Sequence, residues 1–284
     1  MAADLDGLMT RCFPEVHQAY GERDCILYAL GLGLGNDPIA ADEFRYVYER
    51  DLRVLPTMAT ILGQPGFWID EPGTGIDAGQ AVHTEQSLVL WRDLETAGAV
   101  TGRTRVVEVA RRREGRGSIV RVRTDLHDQA DDGLIASLTS AIACRGNEGN
   151  VAPSPAAETS SAVIIPDRHP DACIDRQIPA QAALIYRLSG DINPLHVDLA
   201  VARNAGFERP ILHGLATFGV AGFSLSRARG HAPLRSLSCR FTAPVYPGDT
   251  MSTLIWETEE AMLFRCIVDA RGTVVLDRGI ATLG

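Results

Sequence analysis

Three residues within six positions could act together on one water molecule. Asp191, Asn193 and His196 offer a carboxylate, an amide and an imidazole. Gly190 and Pro194 bracket them, so neither a regular helix nor a strand is expected through this stretch. A tight loop of this kind can aim all three side chains at one point. A carboxylate and an imidazole together can take a proton from one atom and deliver one to another, as hydration or dehydration of a double bond requires. Gly214 lies eighteen residues beyond His196, directly after His213, at the start of an apolar run. A backbone N–H at a helix N-terminus carries partial positive charge and meets a developing oxyanion. A glycine there lets a carbonyl come close to the backbone. Neighbouring residues have plainer readings: Asp198 as a helix N-cap, and His213 as a packing or capping residue at the helix start.

The elements around this loop read as α+β. Leu199 to Ala205 is expected as a short helix after Asp198, and His213 to about Arg229 as a longer one with few polar positions. A helix apolar nearly all round must be buried nearly all round. Strand-like runs follow at Ser236–Thr242, Thr250–Thr258, Leu263–Ala270 and Val274–Thr282, which suggests an antiparallel sheet wrapped around that helix. The first half offers strands at Phe44–Arg53, Glu85–Asp93, Thr104–Arg113, Gly117–Asp125 and Leu134–Arg145. After Leu62, five glycines and two prolines between Gly63 and Gly79 rule out a long helix. The central helix of the first half is therefore expected to be short, and the vacated volume either filled by side chains or left as an apolar cavity. Trp68 and Phe67 could line such a cavity or anchor the loop.

The halves echo one another. Ile211-Leu-His-Gly-Leu-Ala-Thr217 resembles Val54-Leu-Pro-Thr-Met-Ala-Thr60, and Tyr186-Arg-Leu-Ser-Gly190 faintly matches Tyr28-Ala-Leu-Gly31. Their common order suggests a duplicated domain. A stretch rich in Gly, Pro, Ser and Ala separates the copies, giving domains at 1–146 and 172–284 and a linker at 147–171.

Composition narrows the partners. A net charge of −9 argues against nucleic acid, whose phosphates want a basic surface. All basic residues are Arg and none is Lys, so Schiff-base chemistry is excluded and any phosphate must be met by Arg or backbone N–H. The six cysteines show neither paired nor metal-ligand spacing with His, so no metal is expected. The N-terminal segment is acidic and no stretch is long enough to span a membrane, which points to the cytoplasm. The run Arg111-Arg112-Arg113 with Arg116 reads as a solvated hairpin tip.

The run Tyr186-Arg-Leu-Ser-Gly-Asp-x-Asn-Pro-Leu-His-x-Asp198, followed by Ala205-Gly-Phe-x-Arg-Pro-Ile-Leu-His-Gly-Leu215, resembles the hydratase 2 motif of MaoC-like (R)-specific enoyl-CoA hydratases. Tyr28–Gly33, Leu55–Thr57 and Val82–Gln86 resemble the N-terminal half of the two-domain members, so the likeness covers nearly the whole chain. It implies a double hotdog: two antiparallel sheets, each wrapped on a central helix, the first of these helices shortened. The implied reaction is reversible hydration of trans-2-enoyl-CoA to (3R)-3-hydroxyacyl-CoA. In that reading Asp191 and His196 activate water and protonate C2, Asn193 helps hold the water, and the N–H of Gly214 binds the thioester oxygen. No cofactor is implied beyond the CoA of the substrate. Arg209, Arg240 and Phe241 lie in family-like runs and are candidates for contact with CoA or substrate. His83 sits in the first-half likeness with a structural reading. The oligomeric state stays open between a homodimer, as the resemblance suggests, and a monomer, since two hotdogs in one chain mimic a hotdog dimer. Three alternatives stand beside the implied reaction: a hydratase or dehydratase of a specialised thioester (steroid side-chain, branched, dicarboxylic or carrier-protein-bound), whose motif would look the same; a hotdog thioesterase, which has no need of the Asp-x-Asn-x-x-His loop; and a non-catalytic acyl-binding subunit, against which the intact Asp191 and His196 argue.

Overall fold

The computed structural model describes residues 5–112, 116–145 and 163–284. Among these residues ten antiparallel strands carry the fold. They are β1 (Val16–Tyr20), β2 (Ala81–Leu90), β3 (Gly98–Arg111), β4 (Ser118–Asp128), β5 (Leu134–Cys144), β6 (Ala172–Gln177), β7 (Leu234–Phe241), β8 (Thr250–Glu257), β9 (Met262–Val268) and β10 (Thr273–Leu283). Their order is β1-β3-β4-β5-β2-β7-β10-β9-β8-β6. Read inward from either edge, each half visits its strands in the same order, so the duplication suggested by the echoes is repeated in the topology. The two expected sheets are halves of one continuous sheet, joined where β2 pairs with β7 from Glu85↔Arg240 to Val89↔Ser236.

Among the described residues five α-helices accompany the sheet: α1 (Glu22–Gly31), α2 (Phe44–Val47), α3 (Ala182–Tyr186), α4 (Leu199–Asn204) and α5 (Gly214–Ala228). Helix α5 is the central one, and every residue from Ala216 to Ser226 is buried. Its two interior glycines serve close approach to the first half. A Cβ at Gly219 would lie 2.7 Å from Leu32 Cδ1, and one at Gly222 would lie 2.8 Å from Thr57 Cγ2. Each costs roughly 1 kcal/mol of helix propensity relative to Ala, which that packing offsets. The echoing residues Tyr28 and Tyr186 are both fully buried, with ring centroids 5.8 Å apart.

The first half has only a six-residue 3₁₀ helix, Pro56–Ile61, where the second has α5. Side chains fill part of the vacated volume. Trp68 is buried with Leu5, Leu8, Val120 and Ile142 on the inner sheet face and stacks edge-on with Phe13 at 5.2 Å. It therefore anchors its loop, while Phe67 is exposed. A cavity of about 170 Å³ lies beside Met58, Ile61 and Leu62, with Gln18 and Asp24 also in its lining, so it is of mixed polarity rather than apolar as expected.

Several elements differ from the sequence reading. The run expected as a strand at Phe44–Arg53 is α2 followed by turns, with Asp51 at φ +55°. Tertiary contacts hold it there: Tyr46 packs edge-on against Phe223 of α5 at 5.7 Å, and the buried Glu43 carboxylate pairs with Arg176. Edge strands β1 and β6 and helix α1 were not expected. Their half-exposed or weakly patterned residues give little periodic signal. The arginine-rich tip does join β3 to β4, with Arg113 outside the described residues. Residues 147–162 of the linker also lie outside them. Among the described residues, no helix is long and apolar enough to cross a membrane.

Candidate active site

The loop after α3 is organised by its own side chains. Gly190 turns the chain at φ +123°, a region that L side chains avoid. Asp191 Oδ1 then accepts the N–H of Asn193 at 3.2 Å. Asn193 Oδ1 accepts the N–H of Leu195 at 3.0 Å and so caps the short turn Pro194–His196. Asp198 is the expected N-cap of α4, accepting from Ala200 and Val201 at 2.7 and 3.1 Å. Successive caps leave the loop little freedom. With its carbonyl oxygen engaged, Asn193 has its amide NH₂ to offer a water or substrate.

His196 is buried, and its Nδ1–H donates to the carbonyl of Ile211 at 2.9 Å. That bond assigns the neutral tautomer and leaves Nε2 as the basic nitrogen. Burial lowers the pKa of His196, opposed by the Ile211 carbonyl and by Asp191. His213 stacks on it at 3.7 Å, with ring planes 26° apart, and donates from Nε2 to the backbone carbonyl of Asp191 at 3.1 Å. Burial and the neighbouring His196 push the pKa of His213 down to about 4. His213 thus packs rather than caps, and α5 begins without a side-chain cap. Ring or carboxylate atoms of Asp191, His196 and His213 lie within 4.8 Å of one another. Within this group His196 Nδ1 and His213 Nε2 are taken by backbone carbonyls, which leaves His196 Nε2 and the buried, unpartnered His213 Nδ1 as the free nitrogens.

The same residues adjoin the first turn of α5. Ile211 receives the His196 bond, and Gly214 opens the helix three residues later. The ring of Phe241, at the end of β7, lies over Gly214, where an added Cβ would come 3.5 Å from it. Phe241 in turn packs on His83 of β2, 4.9 Å between centroids. The cavity beside Met58 and Ile61 is bounded on its other side by Leu188, Ser189 and Gly190, which lead directly into Asp191. A larger concavity of about 340 Å³ lies near Arg229 and Gly284, beyond the opposite end of α5.

The remaining sequence candidates fall in different places. Arg209 is half exposed, stacks on Tyr246 at 4.9 Å and approaches Asp249. Arg240 is adjacent to Phe241 on a strand and so faces the opposite side of the sheet, in register with Glu85 and Asp277. The structure does not bring Arg240 to the cluster. Sequence reasoning gave His83 a structural reading only and did not single out the Met58–Ile61 wall. Their places beside the loop have no local signal, since they depend on packing against the other half.

Residues 18–146 match the MFE-2 hydratase 2 N-terminal domain, and residues 161–278 match the MaoC-like domain. The 3-hydroxyacyl-thioester dehydratase Y of Mycobacterium tuberculosis is 39% identical over 267 residues, covering 91% of each chain. The chain belongs to the MaoC-like hydratase 2 family. A second member, the peroxisomal enoyl-CoA hydratase 2 of Arabidopsis thaliana, is 32% identical, covering 95% of this chain and 93% of its own. The crystal structure of a MaoC-like dehydratase from Phytophthora capsici superimposes with a TM-score of 0.84 at 30% identity, covering 99% of both chains. A Mycobacterium tuberculosis protein described as having a double hotdog fold aligns with a TM-score of 0.52. The fold of this hydratase 2 family member is therefore the double hotdog.

Proposed function

We propose that this hydratase 2 family protein catalyses the reversible hydration of a trans-2-enoyl-CoA to the (3R)-3-hydroxyacyl-CoA. The observation that carries this reading is the convergence of Asp191 and His196 beside the uncapped start of α5 at Gly214. Hydration places hydroxide on C3 and a proton on C2, with negative charge passing through the thioester oxygen. Asp191 and basic His196 Nε2 hold and deprotonate the water, and the pair returns a proton to C2. Asn193 offers its NH₂ to the same water. The Gly214 N–H, at the positive end of a fifteen-residue helix, receives the oxyanion. No step calls on a group beyond the substrate's own CoA.

In this reading the C-terminal domain is catalytic and the N-terminal domain holds the acyl chain in the cavity against Met58 and Ile61. Arg209 is the proposed CoA-phosphate contact, with Arg271 on the other approach to Tyr246 at 5.0 Å. A cytoplasmic homodimer completes the reading, with sedimentation and cell fractionation as its tests. The reaction itself is tested by loss of enoyl-thioester absorbance on short, long and branched trans-2-enoyl-CoAs. Turnover that yields the (R) product supports the proposal, and no turnover on any of them contradicts it.

A further inference from the structure

His83 belongs to the N-terminal half, which does not supply the Asp-x-Asn-x-x-His loop. Along β2, Gln86, Leu88 and Leu90 are buried on the inner face, while Glu85 turns outward to Arg121 at 3.4 Å. Strict alternation would place His83 beside Glu85 on the outer face. It does not lie there. The pairing of β2 with β5 slips between His83↔Ile142 and Glu85↔Ala141, leaving Thr84 as an extra residue. One extra residue reverses the alternation and re-aims the side chain before it. His83 accordingly shares the inner face with Ile142, which is buried in the cluster around Trp68.

The imidazole then folds over the bulge. Its Nε2–H donates to the Glu85 carbonyl at 2.9 Å, which fixes the plane of the ring. That ring packs on Phe241 at 4.9 Å with a 58° tilt, and Phe241 covers Gly214. His83 is also close enough to Asp191 for that carboxylate to oppose the lowering of its pKa by burial. A line of contact thus runs from the bulge through Phe241 to the start of α5, across the seam between the halves.

We infer that His83 is a positioning residue, holding Phe241 against Gly214 so that the slot for the thioester keeps its width. The inference rests on the hydratase reading and assigns part of the site to the half that has no catalytic loop. Loosening Phe241 misplaces the thioester oxygen relative to the Gly214 N–H, and the loss appears in kcat, because oxyanion stabilisation acts in the transition state.

The test compares His83→Asn, His83→Phe, Phe241→Ala and the double variant His83→Asn/Phe241→Ala on one trans-2-enoyl-CoA, with thermal unfolding of each. His83→Asn has no aromatic ring, and its shorter amide falls short of the Glu85 carbonyl that Nε2 reaches, a bond that His83→Phe lacks as well. His83→Asn is expected to lower kcat about tenfold with KM changed less than about twofold. His83→Phe, which keeps an aromatic surface for Phe241, is expected to recover most of that loss. The double variant should be no slower than Phe241→Ala alone, since both substitutions remove one contact. Wild-type kinetics in folded His83→Asn, losses that multiply in the double variant, or a His83→Phe enzyme as slow as His83→Asn would each overturn the inference. Wild-type turnover with an inert Asp191→Asn control separates these results from failure of the hydratase reading itself, since an inert wild type would overturn both.

Discussion

The imidazole rings of His196 and His213 stack at 3.7 Å, and His213 holds the Asp191 backbone. One histidine is thereby placed to move protons, and the other props both members of the proposed acid–base pair. Replacing His213 by Phe retains a ring against His196 and Tyr186 but removes the bond to the Asp191 carbonyl. The expected result is a kcat lower by at least about tenfold, with a stability change of only about 1 kcal/mol for the lost hydrogen bond. Steady-state kinetics and denaturant unfolding on the same preparation measure both quantities. Wild-type kcat in that variant would remove His213 from the account.

The acid limb of the pH profile follows from burial. His196 must be neutral to accept a proton from water, and burial holds its pKa below the ordinary 6.5. The acid limb of kcat/KM is therefore expected below pH 6.5, and a limb above it would contradict the assignment.

Folding stability responds over the same range. Between pH 6.5 and about 4, the unfolded chain binds a proton that folded His213 refuses. Stability therefore falls as pH drops through that window, by up to about 1.4 kcal/mol per unit. Unfolding midpoints at pH 7 and pH 5 should differ more for the wild type than for His213→Phe. Equal differences would show that His213 does not titrate as described.

Two glycine-to-alanine substitutions in α5 should separate packing from chemistry. At Gly219 a Cβ would stand 2.7 Å from Leu32 Cδ1, closer than packed atoms tolerate, so Gly219→Ala is expected to destabilise by about 1–3 kcal/mol. At Gly214 a Cβ would meet Phe241 at an ordinary 3.5 Å, so Gly214→Ala should fold normally and lose turnover through crowding of the oxyanion slot. Calorimetry with kinetics decides it, and the reverse pattern would contradict the placement of the slot.

The proposed catalytic loop is legible in the amino-acid sequence because its chemistry is local. Asp191, Asn193 and His196 sit within one capped turn, and Gly214 follows at the head of a helix whose apolar composition announces its burial. The short first-half helix is equally legible, since the prolines and glycines after Leu62 exclude a longer one. What lies beyond reach depends on partners distant in sequence. Phe44–Arg53 alternates like a strand but is drawn to the end of α5 by Tyr46 and Glu43. Arg240 and Phe241 sit together in one family-like run, yet strand alternation sends them to opposite faces, and only Phe241 reaches the site. His83 faces inward only because of a one-residue slip against β5 that no local pattern reveals.

Chain-length preference should be set at the wall of the cavity. In the proposed reading the cavity of about 170 Å³ bounded by Met58 and Ile61, next to Gly190, holds the acyl chain. Ile61→Trp should cut kcat/KM for long acyl chains by about tenfold or more while sparing short ones. A uniform loss across chain lengths would place the acyl group elsewhere.

The most direct measurement is the disappearance of enoyl-thioester absorbance with purified wild-type protein and Asp191→Asn, the product being identified with an (R)-specific 3-hydroxyacyl-CoA dehydrogenase. The account predicts (R) product from the wild type and a loss of at least about a thousandfold in folded Asp191→Asn, as expected when the proton-transfer partner of a water is removed. Turnover by Asp191→Asn at the wild-type rate, or (S) product from the wild type, would contradict it.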